Sequence, residues 1–302
     1  MKNSTTKFPL IQILILCSAL MSITWISIQS GHPTLHSQIY SWDAKPVLIE
    51  MISGGARTSP AFAWGITPEL VLYSDGQMIV TQSVKENERW KRKWLTGKIG
   101  HGKICRLLTA IQMSGFFELT PEDYQWFGAF DVGGTTITIQ GWVEKSYAAY
   151  NLHGAMTHKD VYGEEAEGFP AELENTVLLI ENIIPSSLTP YNPAQVVIGV
   201  NVAPDHANAE GNWPISDIHL SSFIVPGQPL SAINDSVLSG TLAQEFYELM
   251  DGAYLRVFHD GDEDYVVLMR PLFPYETWVE GDVWSFERHP FLETPTTLMT
   301  CP

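Results

Sequence analysis

The stretch Glu69-Leu-Val-Leu-Tyr-Ser-Asp-Gly-Gln-Met-Ile-Val-Thr81 has the pattern of a β-hairpin. Leu70 to Tyr73 and Met78 to Thr81 are runs of strand-forming residues, and Asp75-Gly76 between them supplies the positive φ that a tight turn requires. Because a tight hairpin joins antiparallel neighbours, this stretch predicts an antiparallel sheet.

Further strands are expected on both sides of this hairpin. A second hairpin is expected over residues 253–269, around Asp260-Gly261. The other segments with strand character are 47–51, 89–95, 135–140, 146–152, 195–202 and 218–225.

Helical spacing of apolar residues occurs in three places. The first helix carries Ile104, Leu107, Leu108 and Ile111 on one face and ends near Gly115. The second lies between Pro170 and Pro185. The third runs from about Leu242 to Met250, with Thr241 and Gln244 as an expected capping box.

These elements predict an α+β fold: mostly antiparallel β-sheet with a few amphipathic helices packed on one face, after one N-terminal hydrophobic helix. The expected organisation is a membrane anchor or signal segment over 1–30, a linker over 31–46, an α+β domain over 47–184 and a second, smaller α+β domain or extension over 194–302. The segment Pro185–Pro193 is the expected connection between the two.

The N-terminus predicts export. Phe8 to Ile28 is an apolar stretch long enough to cross a bilayer as a helix, and Lys2 and Lys7 are the only charges before Asp43. Basic residues before the stretch favour a single-pass protein of the cell membrane, with its N-terminus inside and its body outside the cytoplasm. A cleaved signal, giving a secreted body, and a lipoprotein attached through Cys17 are the alternatives.

Charge divides the remaining chain into two parts. Eight of the seventeen basic residues lie between Lys85 and Arg106, and from Leu107 onward five basic residues face twenty-eight acidic ones. The acidic part argues against nucleic acid as a partner. We expect the basic segment Lys85–Lys103 either to touch anionic headgroups or to complement the chain's own carboxylates.

One segment resembles a phosphate-binding loop. Gly97-Lys-Ile-Gly-His-Gly-Lys-Ile104 precedes the first helix, but Ile104 stands where a serine or threonine hydroxyl would hold magnesium. We therefore expect no nucleotide at this loop. The histidines His153, His158 and His206 lie in polar segments without the spacing of an established metal motif.

Two further groups are weak candidates for a binding site. Asp260, Asp262 and Asp264 resemble the start of a calcium loop, although Tyr265 and Pro271 replace the glycine and glutamate that such a loop needs. Trp90, Trp94 and Trp126 have polar neighbours and could form a ligand or partner surface. Calcium is the one cofactor these residues suggest.

Cysteine is sparse beyond the anchor, where Cys105 and Cys301 remain. In an oxidising compartment they could form one disulfide across a very long loop. Because Cys105 falls on a predicted amphipathic helix, where a buried free thiol is the common case, we favour unpaired cysteines.

The hairpin and the helix after it resemble a family of exported bacterial proteins that contain a domain of unknown function. The resemblance rests on Pro68-Glu-Leu-Val-Leu-Tyr-Ser-Asp-Gly76, Ile104-Cys-Arg-Leu-Leu108 and Gly115-Phe-Phe117, within residues 47–184. It implies a hairpin, a short helix and a strand pair, and it supplies no functional residues.

Together these features predict a membrane-anchored extracytoplasmic protein with a non-enzymatic binding or interaction domain, whose partner is a protein or glycan at the cell surface. An extracytoplasmic hydrolase using aspartate, glutamate or histidine residues and a calcium-stabilised structural module are the alternatives.

Overall fold

A computed structural model describes residues 47–54, 67–86, 89–120, 134–140, 144–150, 170–204, 207–224, 234–278, 286–288 and 301. The described residues belong to one compact unit within Ser41–Pro302, and the predicted anchor and linker lie outside the described residues. Within those residues, no helix combines the length and hydropathy needed to cross a bilayer.

The larger sheet is antiparallel and contains seven strands in the spatial order β6-β5-β1-β2-β3-β4-β7. The strands are β1 (Val47–Gly54), β2 (Leu70–Tyr73), β3 (Gln77–Glu86), β4 (Arg89–Lys98), β5 (Gly134–Gln140), β6 (Glu144–Tyr150) and β7 (Thr189–Pro190). The predicted hairpin is confirmed as β2 and β3, with Leu70 paired to Val80 and Gly76 at a φ of 84° in the turn.

A smaller antiparallel sheet has the order β10-β11-β8-β9, and two short strands pair separately. These strands are β8 (Gln195–Val202), β9 (Asn234–Ser239), β10 (Leu255–Asp260), β11 (Glu263–Pro271), β12 (Glu276–Trp278) and β13 (Phe286–Arg288). The predicted second hairpin is confirmed as β10 and β11, with Gly261 at a φ of 69°.

Three α-helices are described: α1 (His101–Met113), α2 (Ala171–Ile183) and α3 (Gly240–Met250). The expected α+β class, with mostly antiparallel sheet, is therefore confirmed. The helices α1 and α2 bury their apolar stripes in one core cluster, whereas α3 contributes to the other.

The larger sheet is buried on both faces at its central strand, β2. Successive side chains of a strand point to opposite faces, so Leu70 and Leu72 of β2 lie on one face and Val71 and Tyr73 on the other. Leu70 and Leu72 belong to the cluster formed with α1 and α2. Val71 and Tyr73 belong to a second cluster, which includes residues of β8, β11 and α3. All four β2 side chains are buried, which explains why β2 is continuously apolar.

The segment between the two sheets is part of the structure. Thr189 and Pro190 of β7 pair with Thr96 and Leu95 of β4. The next residue, Tyr191, is buried and donates its backbone N–H to the carbonyl of Trp94. The expected connection at 185–193 therefore adds a strand to one sheet and a buried ring to the second core.

Two local predictions are wrong. Residues 218–225 were expected to form a strand, but Leu220–Phe223 form a 3-10 helix, with Val225 outside the described residues. The carboxylate of Asp260 accepts the backbone N–H of Leu220 at 2.6 Å, a tertiary bond that local sequence does not reveal. The capping box at Thr241 and Gln244 is also absent, because the helix starts earlier and Ser239 is its N-cap residue, without a side-chain cap.

The expectation of unpaired cysteines is wrong as well. Cys105 of α1 forms a disulfide with Cys301, with 5.4 Å between their Cα atoms and 196 residues between them in sequence. Cys105 is buried on α1, as its helical position predicted, but its partner comes from the far end of the chain.

Gly76 should be far less tolerant of a side chain than Gly261. A Cβ on Gly76 would lie 2.1 Å from the backbone oxygen of Ile99, whereas a Cβ on Gly261 meets nothing within 4 Å. Both residues have positive φ, which alone costs an alanine about 1–2 kcal/mol. We expect Gly76→Ala to lower the free energy of unfolding by about 3 kcal/mol or more, and Gly261→Ala by about 1 kcal/mol. Urea unfolding measures both, and equal losses would contradict the close approach at Gly76.

Candidate functional site

A buried polar cluster lies where the end of β11 meets the larger sheet. We call Arg270–Glu276 the 270–276 turn. Its backbone closes through Glu276 N–H donating to the Phe273 carbonyl at 2.9 Å, and Phe273 N–H donates to the Glu276 carboxylate at 3.0 Å. The Tyr275 hydroxyl donates to the carboxylate of Glu50, a residue of β1. The 270–276 turn is thereby bonded to β1, which lies next to the central strand of the larger sheet.

An ion pair anchors this turn. The Arg270 guanidinium donates to the Glu276 carboxylate at 2.7 Å, and both side chains are fully buried. A buried charge is costly unless it is paired and hydrogen-bonded, so each member requires the other.

Tyrosines surround the pair. Burial raises the pKa of the Tyr73 phenol far above its usual range, and the nearby phenol of Tyr191 and the charges of Glu276 and Glu50 add to the effect. Burial also raises the pKa of Tyr191, again with a contribution from Glu276. The Tyr73 ring meets the Tyr275 ring edge-on at 6.1 Å. These phenols stay protonated at neutral pH.

A second arginine lies near the cluster, on β4. Burial lowers the pKa of Arg92, and the positive charge of Arg270 also lowers it. The Arg92 guanidinium stacks over the Tyr254 ring at 5.3 Å. The shifted groups of this region therefore share one physical cause, which is removal from water during packing.

Sequence reasoning missed this cluster, although one signal was present. Arg270 follows the apolar run Tyr265–Met269, and an arginine inside a buried strand requires a carboxylate partner. Glu276 is the nearest carboxylate after it along the chain, with two prolines between them. The contacts to Glu50 and Tyr73 have no such signal, because those residues are about 200 positions away.

Neutralising one member of the buried pair should be strongly destabilising. Glu276→Gln keeps the shape of the side chain but leaves the Arg270 charge uncompensated, and we expect a loss of about 3–5 kcal/mol in the free energy of unfolding. Glu248→Gln is the control, since Glu248 is exposed and bonds only Gln244 within the described residues. Its expected effect is within about 0.5 kcal/mol. A loss below about 1 kcal/mol for Glu276→Gln would show that the pair is not buried as described.

Tyr247 should make stability depend on alkaline pH. Burial raises its pKa to about 12, whereas an unfolded tyrosine has a pKa of about 10. The stabilisation is therefore complete below about pH 10 and is lost as the pH rises toward 12, because the unfolded chain releases its proton first.

In Tyr247→Phe the decline of stability between about pH 10 and about pH 12 should be shallower, because the unfolded chain has one phenol fewer to release a proton. Urea unfolding at a series of pH values measures this decline of stability. The reference is pH 8, where the tyrosine side chains of both proteins are protonated. Parallel curves for the two proteins would contradict the burial of this phenol.

A polar cleft opens on the surface beside the β2–β3 turn. It has a volume of about 380 Å³ and is lined by Asp75, Gln77, Thr96, Gly97, Lys98, Ser187 and Thr189. The Thr96 hydroxyl donates to the Met78 carbonyl at 2.9 Å, and the backbone N–H of Gln77 donates to the Asp75 carboxylate at 2.9 Å. Residues with hydroxyl, amide, carboxylate and ammonium groups thus line one shallow concave surface.

Of the three residues in the predicted tryptophan surface, the structure describes the side chain of Trp94. Trp94 is only 2% exposed, donates its indole N–H to the Thr67 hydroxyl at 3.4 Å and packs on the Tyr247 ring. It belongs to the second core and presents no ring face to solvent. Trp90 is a residue of β4, and Trp126 lies outside the described residues.

Two of the three aspartates of the second hairpin are bonded to other residues. The Asp260 carboxylate, bonded to Leu220 N–H, also lies 3.3 Å from the His219 ring nitrogen, whereas Asp264 bonds His259 at 2.7 Å. Asp262 is exposed in the turn. No group of three metal-ligating side chains occurs among the described residues. Calcium binding by Asp260, Asp262 and Asp264 stays a prediction.

Of the remaining sequence motifs, some lie within the described residues and others lie outside them. The loop that resembles a phosphate-binding motif consists of the end of β4, Ile99 and Gly100, and the start of α1. The histidines His153, His158 and His206 lie outside the described residues. The exposed His219, oriented by Asp260, has the geometry of a general base, but within the described residues no hydroxyl nucleophile is bonded to its ring.

No protein-family model, curated protein or solved structure matches the chain. The resemblance to exported bacterial proteins therefore stays a prediction.

Proposed function

We propose that the chain is a membrane-anchored extracytoplasmic protein whose folded body is a non-enzymatic binding domain. The observation that carries the proposal is the Cys105–Cys301 disulfide. Disulfides persist in oxidising compartments and are rare in the cytosol. The apolar segment Phe8 to Ile28 supports the same location independently.

Binding is favoured over catalysis by where the polar groups lie. The phenols and the arginine with displaced pKa values are packed beside the cores, whereas the cleft lined by Asp75 and Lys98 presents polar groups to solvent. The cleft offers hydrogen-bonding groups suited to a hydroxyl-rich ligand, such as part of a surface glycan.

The location is tested by the redox state of the cysteines in intact cells. The full chain should migrate faster on a non-reducing gel than on a reducing gel, and Cys105→Ser or Cys301→Ser should abolish the difference. Cys17→Ser, which removes the cysteine of the predicted anchor, is the matched control and should leave it unchanged. Cysteines 105 and 301 found reduced in freshly quenched cells would contradict an oxidising compartment.

The binding role is tested by ligand-dependent stability of the full chain in detergent micelles. A panel of surface glycans, cell-wall fragments, calcium, zinc and a chelator is added at saturating concentration, where a specific ligand raises the free energy of unfolding by about 2.7 kcal/mol at a hundredfold excess over Kd. Ser187→Trp should abolish a glycan response by filling the cleft, whereas Ser186→Trp, at the adjacent exposed serine, should preserve it.

The panel also separates the alternatives. A calcium response that Asp262→Asn and Asp264→Asn remove would favour a calcium-stabilised module. A glycan response unaffected by Ser187→Trp would place the ligand outside the cleft. Unchanged stability with every glycan and cell-wall fragment would rule out the cleft as a site for them.

A further inference from the structure

Three cationic side chains remain exposed at one end of the larger sheet. We call Lys98, Lys103 and Arg106 the cationic end. Lys98 is the last residue of β4, and the other two lie in the first half of α1, directly after it. All three are exposed, and no carboxylate of the described residues forms an ion pair with them.

Other basic residues of the same segment are engaged within the protein. Lys91 bonds the carboxylates of Asp251 and Glu86, and Lys93 bonds Glu86. Arg92 is packed against Tyr254. Complementation of the chain's own carboxylates therefore accounts for the middle of β4 but not for the cationic end.

The cationic end is electrostatically unfavourable for α1 itself. The first turn of α1 contains no acidic residue, and its N-cap residue, Gly100, makes no side-chain cap. The Arg106 guanidinium folds back toward this turn, 3.8 Å from the position of a Cβ on Gly102. Positive side chains near the positive pole of a helix destabilise it. The chain as a whole has a net charge of −17, so this end differs in sign from the rest, and an anion bound here would offset the unfavourable charge.

The same end of the sheet receives the chain from its N-terminal side. Val47, the first residue of β1, pairs with Tyr73 at the end of β2. Gln77, at the start of β3 after the Asp75-Gly76 turn, pairs with Lys98. Because neighbouring strands are antiparallel, the entry at Val47, the turn and Lys98 lie at one end of the sheet. Lys85, which pairs with Trp90, lies toward the opposite end.

We propose that the cationic end docks on anionic phospholipid headgroups of the membrane that holds the chain. The inference rests on the proposed function, since it requires an anchored chain. An anchor holds the folded body near the bilayer, and the chemistry at the cationic end is a phosphate ester facing ammonium and guanidinium groups. The acidic remainder of the protein is repelled by the same surface, which reinforces the orientation.

The expected strength is that of a small basic patch. Each basic residue near an anionic bilayer strengthens association about fivefold, so three residues give about a hundredfold, and the effect is screened by salt. A tether makes this sufficient, because the patch is already held near the surface.

The test uses the full chain in nanodiscs made of phosphatidylcholine alone or with added phosphatidylglycerol. The rate at which an amine-reactive reagent acylates each lysine is measured by mass spectrometry. We expect Lys98 and Lys103 to react several-fold more slowly in the anionic discs, with protection lost at high salt. Lys85, equally exposed but at the far end of the sheet, is the internal control and should react at the same rate in both.

Two variants test the comparison further, because each removes one exposed positive side chain. Arg106→Gln should reduce the protection of Lys98 and Lys103 about fivefold, whereas Lys85→Gln should leave it unchanged. A chain that stays with the discs but shows equal labelling in both lipids would overturn the docking and leave the anchored binding protein intact. A chain that does not stay with the discs would overturn both proposals.

Discussion

The larger sheet can exist only if both of its faces are covered, and this requirement governs the rest of the structure. Every side chain of its central strand, β2, is buried, so neither face of the sheet can be exposed to water. The helices α1 and α2 cover one face, and the chain after residue 190 supplies partners for the other.

The 270–276 turn is the polar part of that second cover. It contains the buried pair of Arg270 and Glu276, and its Tyr275 contacts Glu50 and Tyr73, which lie more than 200 residues earlier in the chain. The disulfide joins equally distant parts of the chain at Cys105. Contacts between residues so far apart in sequence form slowly during folding. They make the stability of each sheet depend on the other.

Features of the fold that depend on neighbouring residues were predictable from the sequence. The two turns at Asp75-Gly76 and Asp260-Gly261 follow from glycine's access to positive φ, and α1 follows from its apolar spacing. The predictions that were wrong concern residues whose partners are distant in the sequence. Asp260 converts an expected strand into a 3-10 helix, and Cys301 reaches a cysteine whose helical position suggested a free thiol.

The candidate sites show the same division. The sequence pointed to the tryptophans and to the three aspartates, but burial depends on tertiary packing, and Trp94 proves to be a core residue. The basic segment was recognised from composition alone, yet only the ion pairs of Lys91 and Lys93 separate its internal part from the cationic end. The cleft and the cationic end share Lys98.

The central claim is that the two sheets share a core and unfold together. Native-state hydrogen exchange of the full chain across a series of urea concentrations tests it most directly, by comparing backbone amides of β2 and β3 with those of β8 and β11. A shared core predicts that the slowest amides of both sheets exchange through one global unfolding event with the same free energy. If the amides of β8 and β11 exchange through a separate, lower-energy opening while β2 and β3 stay protected, the second core does not join the sheets into one unit.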